Sequence, residues 1–497
     1  MSTNDTLPFG WVEVPLAEYL INKDGARIPV SAKEREGRQG EYPYYGATGQ
    51  IDSLDSFTHE GENILIGEDG ANLLSRVKPT SFIARGSYWV NNHAHVVSCY
   101  NRCSNKYFNY YFNSLALDEW VSGTAQPKLN QKNMGMIPVK VAPAAEKIRI
   151  VQKLDQLIAQ VDTLKARVDA IPSILKNFRQ SVLAAAVSGK LTEEWRENNP
   201  LNKSVDEING EINKFRYKFW EAAQYEKFEI KGKVPKNNKW KEKYKEPSYP
   251  DGVGLGVLPP GWVHQPLDGL VYIAARIGWK GLKASEYTKE GPLFLSVHSL
   301  NYGQHVKLDE AYHISQDRYE ESPEIMLKND DILLCKDGAG IGKVSILKDL
   351  KEPATINSSL LLIRSGEYFI TEYLYYFFAG PKMQSLVQER MTGTAVPHLF
   401  QRDVKEFVLE VPPINEQKEI VRRVEQFFAI ADQIEGKVTA AQKHINHLTQ
   451  SILAKAFKGE LVPQDPSDEP APDLLVRIKA QREAEQPKNS AKTKKKG

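Results

Sequence analysis

Gly123-Thr124-Ala125-Gln126-Pro127-Lys128-Leu129 returns 270 residues downstream as Gly393-Thr394-Ala395-Val396-Pro397-His398-Leu399. The register then holds without a slip. Pro143 meets Pro413, Glu146 meets Glu416, Gln180-Ser181 meets Gln450-Ser451, Ala184 meets Ala454, and Gly189 and Leu191 meet Gly459 and Leu461. Agreement over roughly seventy residues is an internal repeat, so one structural unit is expected twice.

The middle of each copy reads as a long helix with an apolar seam. Ile150, Leu154, Leu157, Val161, Leu164, Val168, Ile171, Leu175, Phe178, Val182 and Ala185 follow alternate steps of four and three. Ile420, Val424, Phe427, Ala431, Ile434, Val438, Ala441, Ile445, Leu448 and Ile452 repeat the pattern. That period winds helices around one another left-handedly. Each helix starts just after a proline, Pro143 or Pro413, and ends near a glycine, Gly189 or Gly459, the usual asymmetry of helix ends. Two seams of equal length in one chain predict an intramolecular coiled coil. Pro172 stands inside the first helix where the second has Gln442, and a kink or local unwinding is expected there.

With 497 residues, 41% hydrophobic and 26% charged, the chain suits two or three soluble domains. No apolar run reaches the ~18 residues of a membrane span, and the first residues have no signal-peptide core. Three cysteines, Cys99, Cys103 and Cys335, make no disulfide framework, and a reducing cytoplasm is expected. A formal charge of +2 requires that any nucleic-acid binding come from local patches.

Six segments follow in order. Residues 1–142 form a first mixed α/β unit opened by Leu7-Pro8-Phe9-Gly10-Trp11, and residues 143–192 contain the first long helix. Residues 193–257 have no counterpart in the repeat. They hold a capping box, Ser204 with Glu207, before an amphipathic helix, then a stretch from Lys231 to Lys245 that mixes lysine with Trp240 and Tyr244 and reads as a solvated linker. Residues 258–412 form a second mixed unit opened by Leu258-Pro259-Pro260-Gly261-Trp262, residues 413–461 contain the second long helix, and 462–497 read as a disordered tail. Matching strands are expected at Asn63–Gly67 and Asp331–Cys335, and matching helices around Tyr107 to Phe112 and Tyr373 to Phe378.

Catalytic motifs are weak. Asp337-Gly338-Ala339-Gly340-Ile341-Gly342-Lys343-Val344 lacks both the first glycine and the final hydroxyl of a phosphate-cradling loop, so it reads as a turn. His93 and His95 share one side of a strand, but no third ligand stands nearby in sequence, and no metal is expected. No nucleophile elbow, zincin helix or Asn/Asp-Pro-Pro-aromatic methyltransferase tetrapeptide occurs. The units carry instead polar and aromatic residues in glycine-flanked loops, Tyr42 to Gly49 and Ser296 to Gly303, of the kind that reach base edges and sugars.

The two Gly-Thr-Ala-x-Pro-x-Leu segments, each leading through a proline to Glu146 or Glu416 and a long helix, and the Leu-Pro-x-Gly-Trp openings resemble the specificity (S) subunits of type I restriction–modification systems, the HsdS family. The family often has Gly-Thr-x-Gln and Pro-Pro-x-x-Glu-Gln. The first copy keeps Gln126 but has Lys147 after Glu146, and the second keeps Glu416-Gln417 but has Val396. The resemblance implies an α+β fold in which two target recognition domains are separated by two long antiparallel helices forming a coiled coil about a pseudo-twofold axis. It also implies a non-catalytic subunit in which each domain reads one half of an asymmetric, bipartite double-stranded DNA target. The partners implied are two methyltransferase (M) subunits and restriction/translocase (R) subunits, with S-adenosylmethionine, ATP and Mg2+ on those partners and no cofactor, metal or membrane for this chain. The seam rises ~1.5 Å per residue, which limits the gap between half-sites to about 15 base pairs.

By the same resemblance, base readout is expected at Tyr44, Tyr45, Thr48, Asn91, Asn92 and His93 in the first domain. In the second it is expected at Lys280, Lys283, His298, Ser299, Asn301 and Asn357, with Lys336 and Lys343 on phosphates. Two other classes stay open from sequence: a coiled-coil protein scaffold without DNA readout, and a self-contained DNA-modifying enzyme.

Overall fold

The computed structural model describes residues 7–485, except 101–102, 124–125, 231, 233–234, 236, 248–255, 277–281 and 392–397. Two compact units divide the chain. Unit 1 comprises 1–170 with 438–497, and unit 2 comprises 171–437. Each long helix, Ala144–Val187 and Ile414–Ala456, is therefore shared, one part belonging to each unit.

Unit 1 contains β1 (Val12–Pro15), β2 (Leu20–Asn22), β3 (Gln39–Gly46), β4 (Gly49–Leu54), β5 (His59–Glu60), β6 (Asn63–Gly67), β7 (Ser81–Ala84), β8 (Ser87–Val90), β9 (Ala94–Cys99) and β10 (Pro138–Val141). Unit 2 contains β11 (Val263–Pro266), β12 (Val271–Ala275), β13 (Thr288–Leu295), β14 (Tyr312–His313), β15 (Ile332–Cys335), β16 (Val344–Ile346), β17 (Ala354–Ile356), β18 (Leu360–Ser365) and β19 (Val408–Val411). The repeat extends into topology. The antiparallel sheet β2-β9-β6-β7 of unit 1 has the order of β12-β18-β15-β16 in unit 2, and the ribbon β1-β10 matches β11-β19. A second sheet in each unit contains one parallel pair, β3 with β8 and β13 with β17. β15, and β6 after its first residue Asn63, are apolar and buried on both faces, which is why they read as hydrophobic runs.

Each ribbon leads straight into a long helix and is tied to it by the same bond. Trp11 Nε1 donates to Glu146 Oε2 at 3.0 Å, and Trp262 Nε1 to Glu416 Oε2 at 2.9 Å, both buried. The core of unit 1 gathers the aromatic side of the helix Cys103–Ser114, Ile150 and Leu154 of the first long helix, and Leu453, Ala456 and Phe457 at the end of the second. The core of unit 2 gathers the helix Thr371–Ala379, Val182 and Leu183, and Ile420 and Val424.

In unit 2 the Phe178 and Phe427 rings meet edge-on, and Arg179 donates to Asp432 at 2.6 Å and to Glu435 at 2.8 Å. In unit 1 Gln442 Nε2 donates to Asp169 at 2.7 Å. Of the expected seam, Ile150, Leu154, Val161, Leu175, Ile420, Val424, Ala431 and Val438 are buried, and Leu157, Val168, Ile171, Phe178 and Ile445 are half-buried. Leu164, Phe427, Ile434 and Leu448 stay more than a third exposed, because a single partner helix shields a side chain from one direction only.

Three expectations change. Of the kink or local unwinding expected at Pro172, the unwinding is excluded by the unbroken helix. The stretch after 461 is not a loose tail as far as it is described: Ala471 N–H bonds the Gly10 carbonyl at 2.8 Å, Arg149 pairs with Asp468, and a helix spans Ala471–Glu485 with Ala471 and Ile478 buried. Between Lys231 and Lys245, Trp240 does not hang in solvent but stacks on Trp220 and meets Tyr225 and Phe228 of the helix Val205–Ile230. That helix begins at the expected box, Ser204 and Glu207 bonding reciprocally, and is anchored by buried Arg216, which donates to Gln265 and to the Pro266 and Asp268 carbonyls.

Lys147 is the odd residue of the first copy. It is buried beside Tyr19, whose hydroxyl lies 3.3 Å from Nζ, and burial pushes its pKa down to about 8 from an ordinary 10.5. Gln417, its counterpart, satisfies Ile370 N–H and the Tyr368 and Pro412 carbonyls. With the folded value below the unfolded one, charged Lys147 weakens the fold at every pH below about 8, and the penalty lifts as pH rises towards 10.5. Lys147→Gln is expected to stabilise the chain at pH 7 by up to about 3 kcal/mol and to remove an alkaline rise in stability, both read from urea unfolding at pH 7 and 9.5.

Candidate nucleic-acid interface

Equivalent loops gather at one edge of each unit, and backbone bonds define the equivalence. In unit 1 the Asn91 N–H bonds the Tyr45 carbonyl at 3.1 Å, Glu68 N–H bonds the His93 carbonyl at 2.8 Å, and Leu129 N–H bonds the Glu68 carbonyl at 2.7 Å. In unit 2 Asn357 bonds Leu295, Lys336 bonds Ser359, and Leu399 bonds Lys336, each at 2.9 Å. Bridges Asp69 with Lys128 and Asp337 with His398 complete the match. The Asp-Gly-Ala turns thus correspond, and their glycines take left-handed φ values of 106° at Gly70 and 70° at Gly338, which a side chain would resist. The second turn connects β15 to β16 and not to a helix, so it has none of the helix-end geometry of a phosphate loop.

Asn91 and Asn357 play one part in both units. Each side-chain carbonyl accepts from the N–H two residues on, His93 at 2.8 Å and Ser359 at 3.1 Å. They shape the turn, and Asn91 is itself buried. What the turn presents is Asn92 and His93, both exposed. His93 Nδ1 lies 2.8 Å from Asp69. Thr48 is exposed at the neighbouring β3–β4 turn. His95 points elsewhere, buried between Asp24 at 2.7 Å and the Leu129 carbonyl at 2.8 Å, so the two imidazoles do not converge. Burial works against the Glu68 carboxylate beneath this edge, but Arg27, His95 and Lys128 outweigh it and hold its pKa below the usual value.

The edge of unit 2 is more highly charged. Lys343 Nζ donates to Asn301 Oδ1 at 2.6 Å, Asn301 contacts His298, and His298 lies 2.7 Å from Glu310. Lys307, then Tyr302 and His298, hold the Glu310 carboxyl down to about 2. All of these but the half-buried Lys307 are exposed, so the cluster offers donors and acceptors that exchange partners cheaply.

Several expected readers are placed otherwise. Tyr44 is buried, its hydroxyl bonded to both backbone groups of Val30; the alternation of β3 turns it inward while Tyr45, half-buried against Phe82 and Tyr88, takes the other face. Ser299 is buried in a short 3-10 turn. Lys336 is largely covered and paired with Asp337, which also holds His398. Lys283 is exposed at a turn bonded to Glu286, and Lys280 lies outside the described residues. Sequence reading missed Asp69, Lys128, Asp337, His398, Lys307 and Glu310. For Lys128 and His398 a signal existed: they occupy the position that differs inside the otherwise repeated Pro-x-Leu frame.

The family described as type I restriction modification DNA specificity domain matches residues 8–173 and 283–441. The chain belongs to this family. It is 31% identical over 76% of its length to the Escherichia coli EcoBI specificity subunit, of which 72% is covered. It is 32% identical to the EcoKI subunit of Escherichia coli K12, over 72% of this chain and 67% of that one. With the EcoDI subunit of Escherichia coli, identity is 27% over 98% and 99% of the two chains. A chain from a structure of a type I R-M system shares the fold at a TM-score of 0.55 and 14% identity, covering 92% of this chain and 99% of that one. No helix among the described residues is long and apolar enough to cross a membrane.

For this specificity-family chain, the burial of Tyr44 predicts that Tyr44→Phe lowers stability by about 1 kcal/mol through two lost hydrogen bonds while DNA target preference stays unchanged. Thermal unfolding and a binding assay on a randomised duplex pool check both halves.

Proposed function

We propose that each unit reads one half of an asymmetric, bipartite DNA sequence and that the chain carries no catalysis of its own. The observation that supports this reading is one scaffold fitted with two different sets of polar side chains. At equivalent places stand Thr48 and His298, Glu68 and Lys336, Lys128 and His398, and Asn92-His93 against Ser358-Ser359. Sequence is read by donors and acceptors in the groove, so two different sets specify two different half-sites. In this reading Thr48, Asn92, His93, Lys283, His298 and Asn301 face bases, while Lys343 approaches phosphates.

The two long helices act as a spacer in an antiparallel coiled coil related by a pseudo-twofold axis. The opposed order of the contacts Arg179 with Asp432 and the Leu191 carbonyl with Arg423 supports antiparallel pairing in unit 2. Two methyltransferase subunits dock on the two similar halves, and restriction subunits join them; S-adenosylmethionine, ATP and Mg2+ are used by those partners, in the cytoplasm. The EcoBI and EcoKI relatives carry the name of type I restriction enzyme specificity subunits, which supports assignment to such a complex.

Co-expression with a methyltransferase encoded beside it, followed by mapping of N6-methyladenine in host DNA, tests the reading. A two-part motif with a fixed gap is expected; an assembled complex that adds no methylation would overturn it. The spacer makes a sharper prediction. Removing Arg167 to Ser173 together with Val438 to His444 takes one matched heptad from each helix, about 10 Å of rise. The methylated motif is expected to keep both half-sites and lose about three base pairs of gap.

A further inference from the structure

The outer strands β7 and β16 occupy the same place in the two four-stranded sheets, but their outer edges differ. In unit 2 the chain covers its own edge. Ile346 N–H bonds the Gln304 carbonyl at 2.8 Å, Val306 N–H bonds the Ile346 carbonyl at 3.0 Å, and His305 forms a parallel bridge with Ile346. A short extended segment thus adds a strand to the sheet.

The matching residue in unit 1 is Ile83. Glu68 corresponds to Lys336, so Ile64 corresponds to Ile332, and their cross-strand partners are Ile83 and Ile346. Gly67 N–H bonds the Thr80 carbonyl at 2.9 Å and Gly61 N–H bonds the Gly86 carbonyl at 2.8 Å. Those bonded pairs alternate with unbonded ones, which places the backbone groups of Ser81 and Ile83 on the side away from β6. At Ser81 both groups are taken by the Asn113 amide, N–H to Oδ1 at 3.1 Å and carbonyl from Nδ2 at 2.8 Å. The Asn113 side chain imitates one residue of an added strand. Two residues further, Ile83 N–H and carbonyl face a cleft of about 620 Å3 within unit 1.

We propose that this edge of unit 1 receives an extended, acidic segment of a partner protein, which adds a strand at Ile83 as residues 304–306 do in unit 2. The charge of the cleft selects the occupant. Arg76, Lys78, Arg85 and Lys106 line it against one carboxylate, Asp162. Arg85 and Lys106 are shared with Glu62 and Asp155 outside the lining, so the positive end lies at Arg76 and Lys78. The stretch of this chain after residue 485, with lysines at 488, 492, 494, 495 and 496, has the wrong sign to fill it. Backbone pairing gives such a contact its affinity and flanking side chains its selectivity.

The probe is a fluorescein-labelled peptide of alternating glutamate and valine, eight residues long, titrated into the full chain. Saturable binding is expected, with slower hydrogen exchange across residues 81–86. Ile83→Pro, which removes the outward N–H at an edge position that tolerates proline, and the double variant Arg76→Glu, Lys78→Glu should each weaken binding at least tenfold. Because Ile83→Pro can unfold the strand, the same peptide N-methylated at alternate residues is tested on the unchanged protein, where loss of binding is expected. Absence of binding by the acidic peptide, equal binding of its lysine–valine counterpart, undiminished binding of the N-methylated form, or displacement from the cleft by a random 20-base-pair duplex would each overturn the proposal.

Discussion

A buried indole-to-carboxylate hydrogen bond, made once in each unit, is the constraint on which the remaining structure depends. Trp11 and Trp262 open their units, and Glu146 and Glu416 sit in the first turns of the long helices. The strands that follow the tryptophans, β1 and β11, pair with β10 and β19, and those lead directly into the helices. Opening strand, closing strand and helix are thereby locked within each unit. A buried carboxylate needs such a donor, since leaving it unpaired costs several times what the bond returns in solvent. Glu416 is satisfied more fully than Glu146: Thr192 donates to its other oxygen at 2.7 Å, with Arg196 at 3.4 Å, whereas burial raises the pKa of Glu146 despite the Trp11 bond.

With the frame locked, the loops at the far edge are free to differ. The backbone bonds that hold them are the same in both units, but nearly every exposed side chain on them has changed. That division has a physical basis: amide and carbonyl groups are supplied by every residue except proline, whose N–H is missing, so a turn fixed by main-chain bonds, glycines and one asparagine tolerates substitution at the presented positions. The cost falls on Asn91 and Asn357, whose amides are spent on the turn and not on a ligand.

This contrast explains what was legible in the sequence. Helices with four-and-three apolar spacing, the apolar runs of β6 and β15, and the capping box at Ser204 were readable because a local pattern determines them. The presented residues Asn92, His93, His298 and Asn301 were also reachable, since they lie in polar loops. Tyr44 was misread because two adjacent tyrosines in a strand look alike, and only the pairing of β3 decides which one faces inward. Asp69 with His93 and Asp337 with His398 escaped notice because their partners lie 24 and 61 residues apart, and no local period links them.

The segments taken for an insert and a tail show how packing can outlast sequence. Each long helix ends at a left-handed glycine, φ 75° at Gly189 and 76° at Gly459, against the proline of an opening motif, Pro259 or Pro8. The chain that follows passes the next left-handed glycine of that motif, with Leu201 beside Gly261 and Pro470 beside Gly10. It then enters a further helix, Val205–Ile230 or Ala471–Glu485. These two stretches share almost no residues, so no repeat was visible between them. What they share is a task set by the glycines: each opening leaves a shallow apolar surface beside its tryptophan that must be covered, and any chain leaving the preceding helix is the nearest means of covering it. Leucine with an anchored arginine serves in one unit, proline with an aspartate paired to Arg149 in the other. The repeat is therefore longer than its sequence signature, because contact with the opening motif constrains shape and burial there while leaving residue identity open.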